Sequence, residues 1–265
     1  MIRNLIMKNL VRLIISNKRI KNLDNNHLKL SKDEAHYLNK VMRIKIGEEL
    51  QIVNGEGYLW IGIKNKNNFI EIPYINNPIL FQDKKQVSLG IAVAIPKVGF
   101  EDILKMCTEI GIDFVQPLYS DHQIKRISNQ ASKMNRWNSI VDEAVEQCER
   151  LWKPKILNIL DTCEWIISLK ARDVISISSA REENCISLNQ WLEMQNLPFK
   201  KSTILWNVIG PEGGWSQREI YFFKEKKIQL IKLSDSILRT STASITATSI
   251  LSQWRSFNIK SNHLI

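Results

Sequence analysis

The sequence predicts an α/β fold built on a parallel sheet, preceded by a small β-rich domain. Val87–Ile95 is a continuous apolar run, which is typical of a strand buried on both faces of a parallel sheet. Thr203–Ile209 is a second apolar run, and both runs lead into a loop and then a helix candidate. Before residue 87 the pattern changes to short strand candidates separated by Asn and Gly turns.

The first domain is predicted to be a small barrel over residues 1–80. Its strand candidates are Leu10–Ile15, Leu50–Val53, Tyr58–Ile63 and Phe69–Ile72. Ser31 and Glu34 have the spacing of a capping box, which predicts a short helix from there to Val41. Pro73–Lys85 is rich in Pro, Asn and Asp and is the predicted linker to a second domain, residues 86–265.

The first half of the second domain alternates helix and strand candidates. Glu101–Ile110 carries an apolar stripe at helical spacing, and Gly111 follows where a helix is expected to end. The remaining candidates are the strand Ile112–Leu118, the helix Asn135–Leu151, the strand Val174–Ser179, a short helix over 187–194 and a connection at Leu197–Ser202.

A glycine-rich stretch, Gly210–Gly214, follows the Thr203–Ile209 strand. Ser216 and Glu219 then have capping-box spacing, so the order is strand, glycine loop and helix start. Such a loop can offer backbone N–H groups to a ligand, although a plain tight turn would give the same pattern. A phosphate loop is excluded because no Gly-Lys-Ser or Gly-Lys-Thr follows, and the dinucleotide glycine spacing is absent.

A second unit of the same kind follows at once. Ile228–Leu233 is a strand candidate, Ser234–Ser236 a turn, and Ile237–Ala243 leads into a helix candidate that ends near Trp254. Two such units in tandem predict ligand-binding loops at the carboxyl ends of parallel strands.

The formal net charge of +10 favours an anionic partner, nucleic acid first. Residues 1–86 hold 15 Lys and Arg against 8 Asp and Glu, so their net charge is +7, and the first domain is the better candidate for a phosphate-binding surface. A lysine-rich composition with solvated lysines is the alternative. The four cysteines have no metal-ligand or disulfide spacing, which predicts no metal and a reducing cytoplasm. No apolar run reaches membrane-spanning length.

Five blocks of the sequence together resemble one known family. They are HYLNKVMRIKIGEEL, KMCTEIGIDFVQPLYS, EAVEQCERLWKP, GPEGGWSQRE and LSDSILRTSTA. The chain resembles the RsmE family of the SPOUT superfamily, which methylates N3 of a uridine in 16S ribosomal RNA with S-adenosyl-L-methionine. The resemblance implies a trefoil-knot α/β domain, a PUA-like RNA-binding barrel, a homodimer and the 30S ribosomal subunit as substrate.

The resemblance also assigns candidate site residues. Arg239, Arg12 and Glu212 are the catalytic candidates: the arginines supply positive charge near the uracil oxygens, and Glu212 orients a ligand or an arginine. Arg12, Arg43, Gln147 and Arg150 are the RNA-binding candidates. The cofactor-binding candidates are Ile209, Gly210, Pro211, Gly213, Gly214, Leu233, Ser234, Ile237, Leu238, Thr242 and Ala243.

The chain departs from the usual family pattern in its last motif. Ser234, Ser236 and Ser241 stand where glycine, arginine and glutamate are usual, and His122 replaces a common arginine. Two alternatives therefore stay open: a non-catalytic RNA-binding relative, and a SPOUT enzyme that acts on another RNA such as transfer RNA. The missing phosphate-loop and dinucleotide motifs argue against a third, an unrelated nucleotide-binding α/β enzyme.

Overall fold

The structure is a computed structural model that describes residues 10–123, 127–182, 185–195 and 202–258. It divides into two compact units, Met1–Lys84 with Val145–Lys153, and Lys85–Ala144 with Pro154–Ile265. The domain limits 1–80 and 86–265 stay predictions. What the sequence did not suggest is that residues 145–153 belong to the first unit.

The first unit is built on a six-stranded sheet. Its elements are β1 (Arg12–Ile14), α1 (Asn17–Lys21), β2 (His27–Lys29), α2 (Lys32–His36) with a π-helical turn at Tyr37–Val41, β3 (Glu49–Val53), β4 (Tyr58–Lys64), β5 (Phe69–Glu71) and β6 (Leu80–Phe81). The strands follow the order β1-β3-β4-β5-β2, and β6 pairs with β4. All pairs are antiparallel except β1 with β3. The Ser31 capping box forms as predicted.

The segment 145–153 completes this unit. The Ile14 backbone N–H donates to Glu146 Oε1 at 2.9 Å, and Leu151 packs with Val53 and Leu59 in a small buried cluster. The Trp152 indole N–H donates to the Gln82 carbonyl oxygen at 2.8 Å. The segment therefore supplies both apolar burial and backbone partners to strands that lie far away in the sequence.

The second unit is an eight-stranded parallel sheet with helices. Its elements are β7 (Val87–Ala94), α3 (Phe100–Ile110), β8 (Phe114–Tyr119), α4 (Gln130–Gln147, whose last residues belong to the first unit), β9 (Lys155–Ile156), β10 (Leu160–Asp161), α5 (Thr162–Ser168), β11 (Val174–Ser178), β12 (Ile186–Ser187), α6 (Leu188–Glu193), β13 (Thr203–Ile209), α7 (Gln217–Glu225), β14 (Gln229–Lys232) and α8 (Thr240–Asn258). The order is β10-β8-β7-β13-β11-β14-β12, with β9 on β8, and every pair is parallel. The predicted α/β class with a parallel sheet is confirmed.

The centre of the sheet is where the apolar runs lie. Every residue of β7 is buried, and β7 and β13 pair along their lengths. Gly90 permits the close packing of Trp206, because a Cβ at Gly90 would lie 2.2 Å from the indole. The buried Arg255 of α8 forms an ion pair with Asp113 and donates to the Gly111 carbonyl oxygen at 3.0 Å, which ties the end of α8 to the sheet.

Helix limits differ from prediction mainly in α4. It begins five residues earlier than predicted and ends at Gln147 instead of Leu151. Glu149 has φ 59°, a left-handed conformation that cannot continue a right-handed helix. The connection predicted at Leu197–Ser202 lies, apart from Ser202, outside the described residues.

Candidate functional site

The glycine loop connects β13 to α7 and takes the predicted form. Gly210 lies directly against the Trp215 ring, where an added Cβ would be 3.0 Å from the indole, and Gly214 has φ 74°. Both positions therefore favour glycine. The Ser216 hydroxyl accepts from the Glu219 backbone N–H at 3.1 Å, and Glu219 accepts from the Ser216 N–H at 2.9 Å. This capping box starts α7 immediately after the loop.

A cavity of about 200 Å³ opens beside this loop, at the carboxyl ends of β11, β13 and β14. Three loops form its walls, one after each strand, and exposed Ile237 stands at its edge. This is the position that a parallel sheet offers to a ligand. The cofactor-binding candidates that line it are Ile209, Gly210, Pro211, Gly214, Leu233, Ser234, Ile237, Leu238 and Ala243.

The other two cofactor candidates are placed differently. Gly213 faces away from this cavity and lines a second one, where its backbone lies against His122. Thr242 is an exposed residue in the first turn of α8. Cofactor contact for these two residues stays a prediction.

One wall of the cavity was not predicted at all. The loop after β11, Ser178–Glu182, lines it together with Trp215, Gln217 and Thr240. In the sequence this loop resembles any polar turn after a strand and has no recognisable motif. It lines the cavity because of where the sheet places it. The Glu182 carboxylate is held by Lys224 Nζ at 2.6 Å.

A buried polar network supports that wall. Asn207, within β13, donates to Ser176 Oγ at 3.0 Å and accepts from the Ser178 hydroxyl at 2.9 Å. The Trp215 indole N–H donates to the Ser178 carbonyl oxygen at 2.9 Å. Because buried polar groups are costly when unpaired, this network fixes the end of β11 to the glycine loop.

The loop after β8 is joined to the start of α7. Asp121 accepts two hydrogen bonds from Arg218, at 2.9 and 2.5 Å, and one from the Ser216 hydroxyl at 2.6 Å. The Arg218 guanidinium, with Ser216, lowers the pKa of Asp121 to about 2. Burial raises the pKa of neighbouring Glu219. His122 Nδ1 lies 2.9 Å from the Gly214 carbonyl oxygen.

A second cavity, of about 690 Å³, lies on the opposite flank of the glycine loop. It is bounded by the loop after β7, the loop after β8 and residues 211–213. Pro211 and the exposed Glu212 line both cavities. Glu212 Oε1 accepts from the Lys97 backbone N–H at 3.1 Å, which ties the glycine loop to the loop after β7.

The catalytic candidate Arg239 lies in the connection between β14 and α8. Its neighbours Leu238 and Thr240 both line the first cavity, and the Thr240 hydroxyl donates to the Gly210 carbonyl oxygen at 3.1 Å. The Arg239 side chain is exposed, and among the residues that the structure describes none forms an ion pair with it. The Arg239 side chain is thus an exposed cation between two residues that line the cavity.

The RNA-binding candidates all belong to the first unit. Arg12 is 7 % exposed: its Nε and Nη2 donate to Gln51 Oε1 at 2.9 and 2.6 Å, and Nη2 lies 3.9 Å from Glu149. Burial lowers the pKa of Arg12, and Nη1 has no hydrogen-bond partner among the described residues. Arg43 and Gln147 are exposed, and Arg150 is half-buried.

Within the described ranges, no group of three or more His, Cys, Asp or Glu side chains could hold a metal ion. Across the same residues, no helix is long and apolar enough to cross a membrane. The four cysteines are free thiols.

Two sequence families match the chain. The RNA methyltransferase domain family matches residues 83–252, and the RNA methyltransferase PUA domain family matches residues 30–63. The protein called ribosomal RNA small subunit methyltransferase E of Synechocystis is 30% identical over 219 residues, 82% of this chain and 70% of that protein. A protein with the same name from Buchnera aphidicola subsp. Schizaphis graminum is 32% identical to this chain, and the match covers 86% of this chain and 90% of that protein.

Solved structures agree on the fold. Ribosomal RNA small subunit methyltransferase E from Neisseria gonorrhoeae, crystallised with S-adenosyl methionine, superimposes with a TM-score of 0.75 over 92% of this chain and 98% of that one, at 22% identity. A Legionella pneumophila structure in complex with bound SAM gives a TM-score of 0.79 over 93% and 98%, at 23% identity.

Proposed function

Because the chain belongs to the ribosomal RNA small subunit methyltransferase E family, we propose that it methylates N3 of a uridine in the RNA of the small ribosomal subunit. The enzyme is an S-adenosyl-L-methionine-dependent RNA methyltransferase. The observation that carries the proposal is the cavity at the carboxyl ends of β11, β13 and β14, because two of its three walls are the segments with the strongest family motifs.

The residues of this cavity fit S-adenosyl-L-methionine. Ile209, Leu233 and Ile237 give it apolar surface, and Gly210 and Gly214 have no side chain to cover the backbone in its wall. The Glu212 carboxylate at its border complements a positively charged ligand. Recognition through backbone explains why small residues dominate the two motifs.

When bound, S-adenosyl-L-methionine supplies a methyl group on a positively charged sulfur: the new bond forms from uracil N3, the carbon–sulfur electron pair stays on sulfur, and the N3 proton is released to water. The chain must hold the uracil in near-attack geometry and stabilise the negative charge that develops on its oxygens. Arg239 is our candidate for the second task, which is supported by its charge and by its neighbours Leu238 and Thr240 in the lining of the first cavity. Glu212, on the glycine loop, is our candidate for orienting a bound group.

For Arg12 we propose a structural role before a catalytic one. It is enclosed by the first unit, and its two contacts with Gln51 hold β1 against β3. Its Nη1 atom is buried too, which supports the structural role over direct contact with RNA. Arg43, Gln147 and Arg150 lie in the same unit, which supports RNA binding by the PUA-like part of the chain.

The working assembly we propose is a cytoplasmic homodimer bound to the small ribosomal subunit. Large apolar side chains of the second unit that line neither cavity are exposed, among them Met194, Tyr221 and Phe257, and a second copy would cover such groups. Light scattering at micromolar concentration tests this directly, and the mass of a single chain would contradict it.

The decisive experiment is methyl transfer from labelled S-adenosyl-L-methionine into unmodified small ribosomal subunits, followed by mass spectrometry of the digested RNA. We expect 3-methyluridine. Subunits that already carry the modification are the control and should accept no label. No incorporation by a protein that still binds the cofactor would contradict the proposed substrate, and transfer RNA would then be the next acceptor to test.

A further inference from the structure

Of the cofactor-binding candidates, only Pro211 and Gly213 line the second cavity. Its walls are the loop Ile95–Gly99, His122 with Gln123, and Pro211–Gly213, and the buried rings of Phe100 and Trp137 form part of its lining. Its volume of about 690 Å³ falls within the range of small-molecule sites. It is therefore large enough for a ligand of its own.

The two cavities meet at one loop. Pro211 and Glu212 line both, so ligands bound in them would be neighbours. The loop is held in place from both flanks: Glu212 accepts from the Lys97 backbone N–H, and His122 contacts the Gly214 carbonyl oxygen. A methyl acceptor must lie next to the methyl donor, and the second cavity is a built space that meets this requirement.

The polar lining is mixed in sign. Lys97, Lys133 and His122 offer donors, while Glu101, Asp102 and Glu212 offer carboxylates. Glu101 is already engaged by Arg136 at 2.6 Å and Lys133 at 3.8 Å. In the described part of the chain nothing pairs with the Lys97 ammonium, which is exposed. Such a lining disfavours a phosphate group, because three carboxylates surround it. This mixed lining suits a neutral base that presents both hydrogen-bond acceptors and a hydrogen-bond donor.

We propose that this cavity is the acceptor site and takes one uracil base turned out of the RNA. The proposal rests on the proposed function and deepens it. Uracil has two carbonyl oxygens on either side of the N3–H group. Lys97 donates to one carbonyl oxygen and stabilises the charge that develops there, a role for which the sequence motifs had not singled it out. A base must leave its stack to be modified, and a cavity of this depth receives it.

The test uses small-subunit RNA that contains 4-thiouridine in place of some uridines, assembled into subunits. The full chain is mixed with these subunits and S-adenosylhomocysteine, irradiated and digested. We expect crosslinked peptides that contain Val98–Asp102 or His122–Gln123. Crosslinks confined to the first unit would overturn the proposal.

Two variants make the test specific. Lys97→Met removes the cation, and Lys105→Met, at an exposed position on α3 outside the cavity lining, is its charge-matched control. Val98→Trp fills the cavity from a residue that is 78% exposed, and Ile167→Trp, at 67% exposure on α5, is its control. We expect Lys97→Met and Val98→Trp to lower crosslinking in the cavity and methyl transfer at least about tenfold, in line with the loss of one charged hydrogen bond.

Cofactor affinity, measured by calorimetry, should change less than about twofold in both variants, since neither residue lines the first cavity. Variants that crosslink and turn over like their controls would overturn the proposal. Light scattering shows whether Val98→Trp changes the oligomeric state. If it does, the proposal is judged on Lys97→Met alone. Crosslinks in this cavity without methyl transfer by the unaltered chain would contradict the proposed function and leave the uridine site standing.

Discussion

Arg239 and Asp121 represent two ways in which a single charged residue can serve the site. Arg239 is exposed, unpaired among the described side chains and next to the cavity. Asp121 is fully engaged, with three hydrogen bonds that hold the loop after β8 against the start of α7. The first is available to a substrate, whereas the second keeps the surrounding loops in place.

For Arg239→Ala we expect kcat to fall about 10²–10³-fold, the usual effect of removing one group that stabilises developing charge. Cofactor affinity should change less than about twofold. Arg172→Ala, another exposed arginine in the same unit, is the matched control and should keep full turnover. Single-turnover methyl transfer and calorimetric titration separate the two effects. Unchanged turnover in Arg239→Ala would contradict its catalytic assignment.

For Asp121→Asn we expect a loss of about 1 kcal/mol in the free energy of unfolding at pH 7, because the bridge is partly exposed to solvent. The pKa of Asp121 is depressed from 3.8 to about 2, so its stabilisation is complete above pH 3.8 and disappears as the pH falls toward 2. The difference between the variant and the unaltered chain should narrow over that interval in urea titrations.

This explanation would be contradicted if the difference in unfolding free energy between Asp121→Asn and the unaltered chain stayed constant below pH 3.8. Asp235→Asn is the control for Asp121→Asn. Its partner Lys232 lies 2.9 Å away, but the Asp235 side chain is 94% exposed, so we expect a smaller effect.

At the scale of elements, locally encoded features were predictable. The capping boxes at Ser31 and Ser216 formed where their four-residue patterns lie, and the buried strands β7 and β13 followed from apolar runs alone. The capping box at Ser187 was missed, although the helix it starts was expected. The strands β2, β6, β9, β10 and β12 have two or three residues each, too few for any periodicity to appear.

Some parts of the candidate site were also predictable from local sequence, and others were not. Its glycine loop and the segment 233–238 carry motifs, and both line the cavity. Ser178–Glu182 reaches the cavity only because β11 lies between β13 and β14, and strand order is a property of long-range pairing. The trefoil knot stays a prediction, because strand order does not specify which loop passes through which.

Loss of the Ser216 cap should affect both α7 and the glycine loop. We expect Ser216→Ala to cost about 1 kcal/mol of unfolding free energy and also to weaken cofactor binding several-fold, since the hydroxyl is bonded to Asp121 as well. Ser187→Ala removes an equivalent cap from α6, outside the cavity lining, and should cost the same stability with unchanged cofactor affinity. Equal cofactor affinities in the two variants would contradict the coupling.

The ion pair of Arg255 with Asp113 should be essential for holding α8. We expect Asp113→Leu to lower the unfolding free energy by about 3–5 kcal/mol, because it leaves a buried guanidinium uncompensated. Asp113→Leu combined with Arg255→Met should recover part of that loss. Denaturant titrations of the two single variants and the double variant give the coupling energy, and simple additivity would contradict an interaction between the pair.

On the scale of the whole molecule, the excess positive charge predicts where RNA is bound. If the first unit contacts phosphates, Arg43→Asn should weaken RNA binding and reduce the slope of log K against log salt by about 1. Asparagine is chosen because Arg43 has φ 55°, which asparagine tolerates. Lys66→Asn removes an equal charge from an exposed turn of the same unit and is the control. Identical salt slopes for Arg43→Asn and the unaltered chain would contradict phosphate contact.

The assignment of residues 145–153 to the first unit has a consequence for synthesis on the ribosome. The β1–β6 region is complete by Lys84, but the segment with Leu151 and Trp152, which pack on Val53 and Leu59 and bind Gln82, is complete only at Lys153, 69 residues later, counted from 84 to 153. At the usual rate of elongation this is a delay of roughly 3–14 s. During that interval Val53 and Leu59 lack part of their packing, so we expect the first unit to reach its full stability only after Lys153 has left the ribosome.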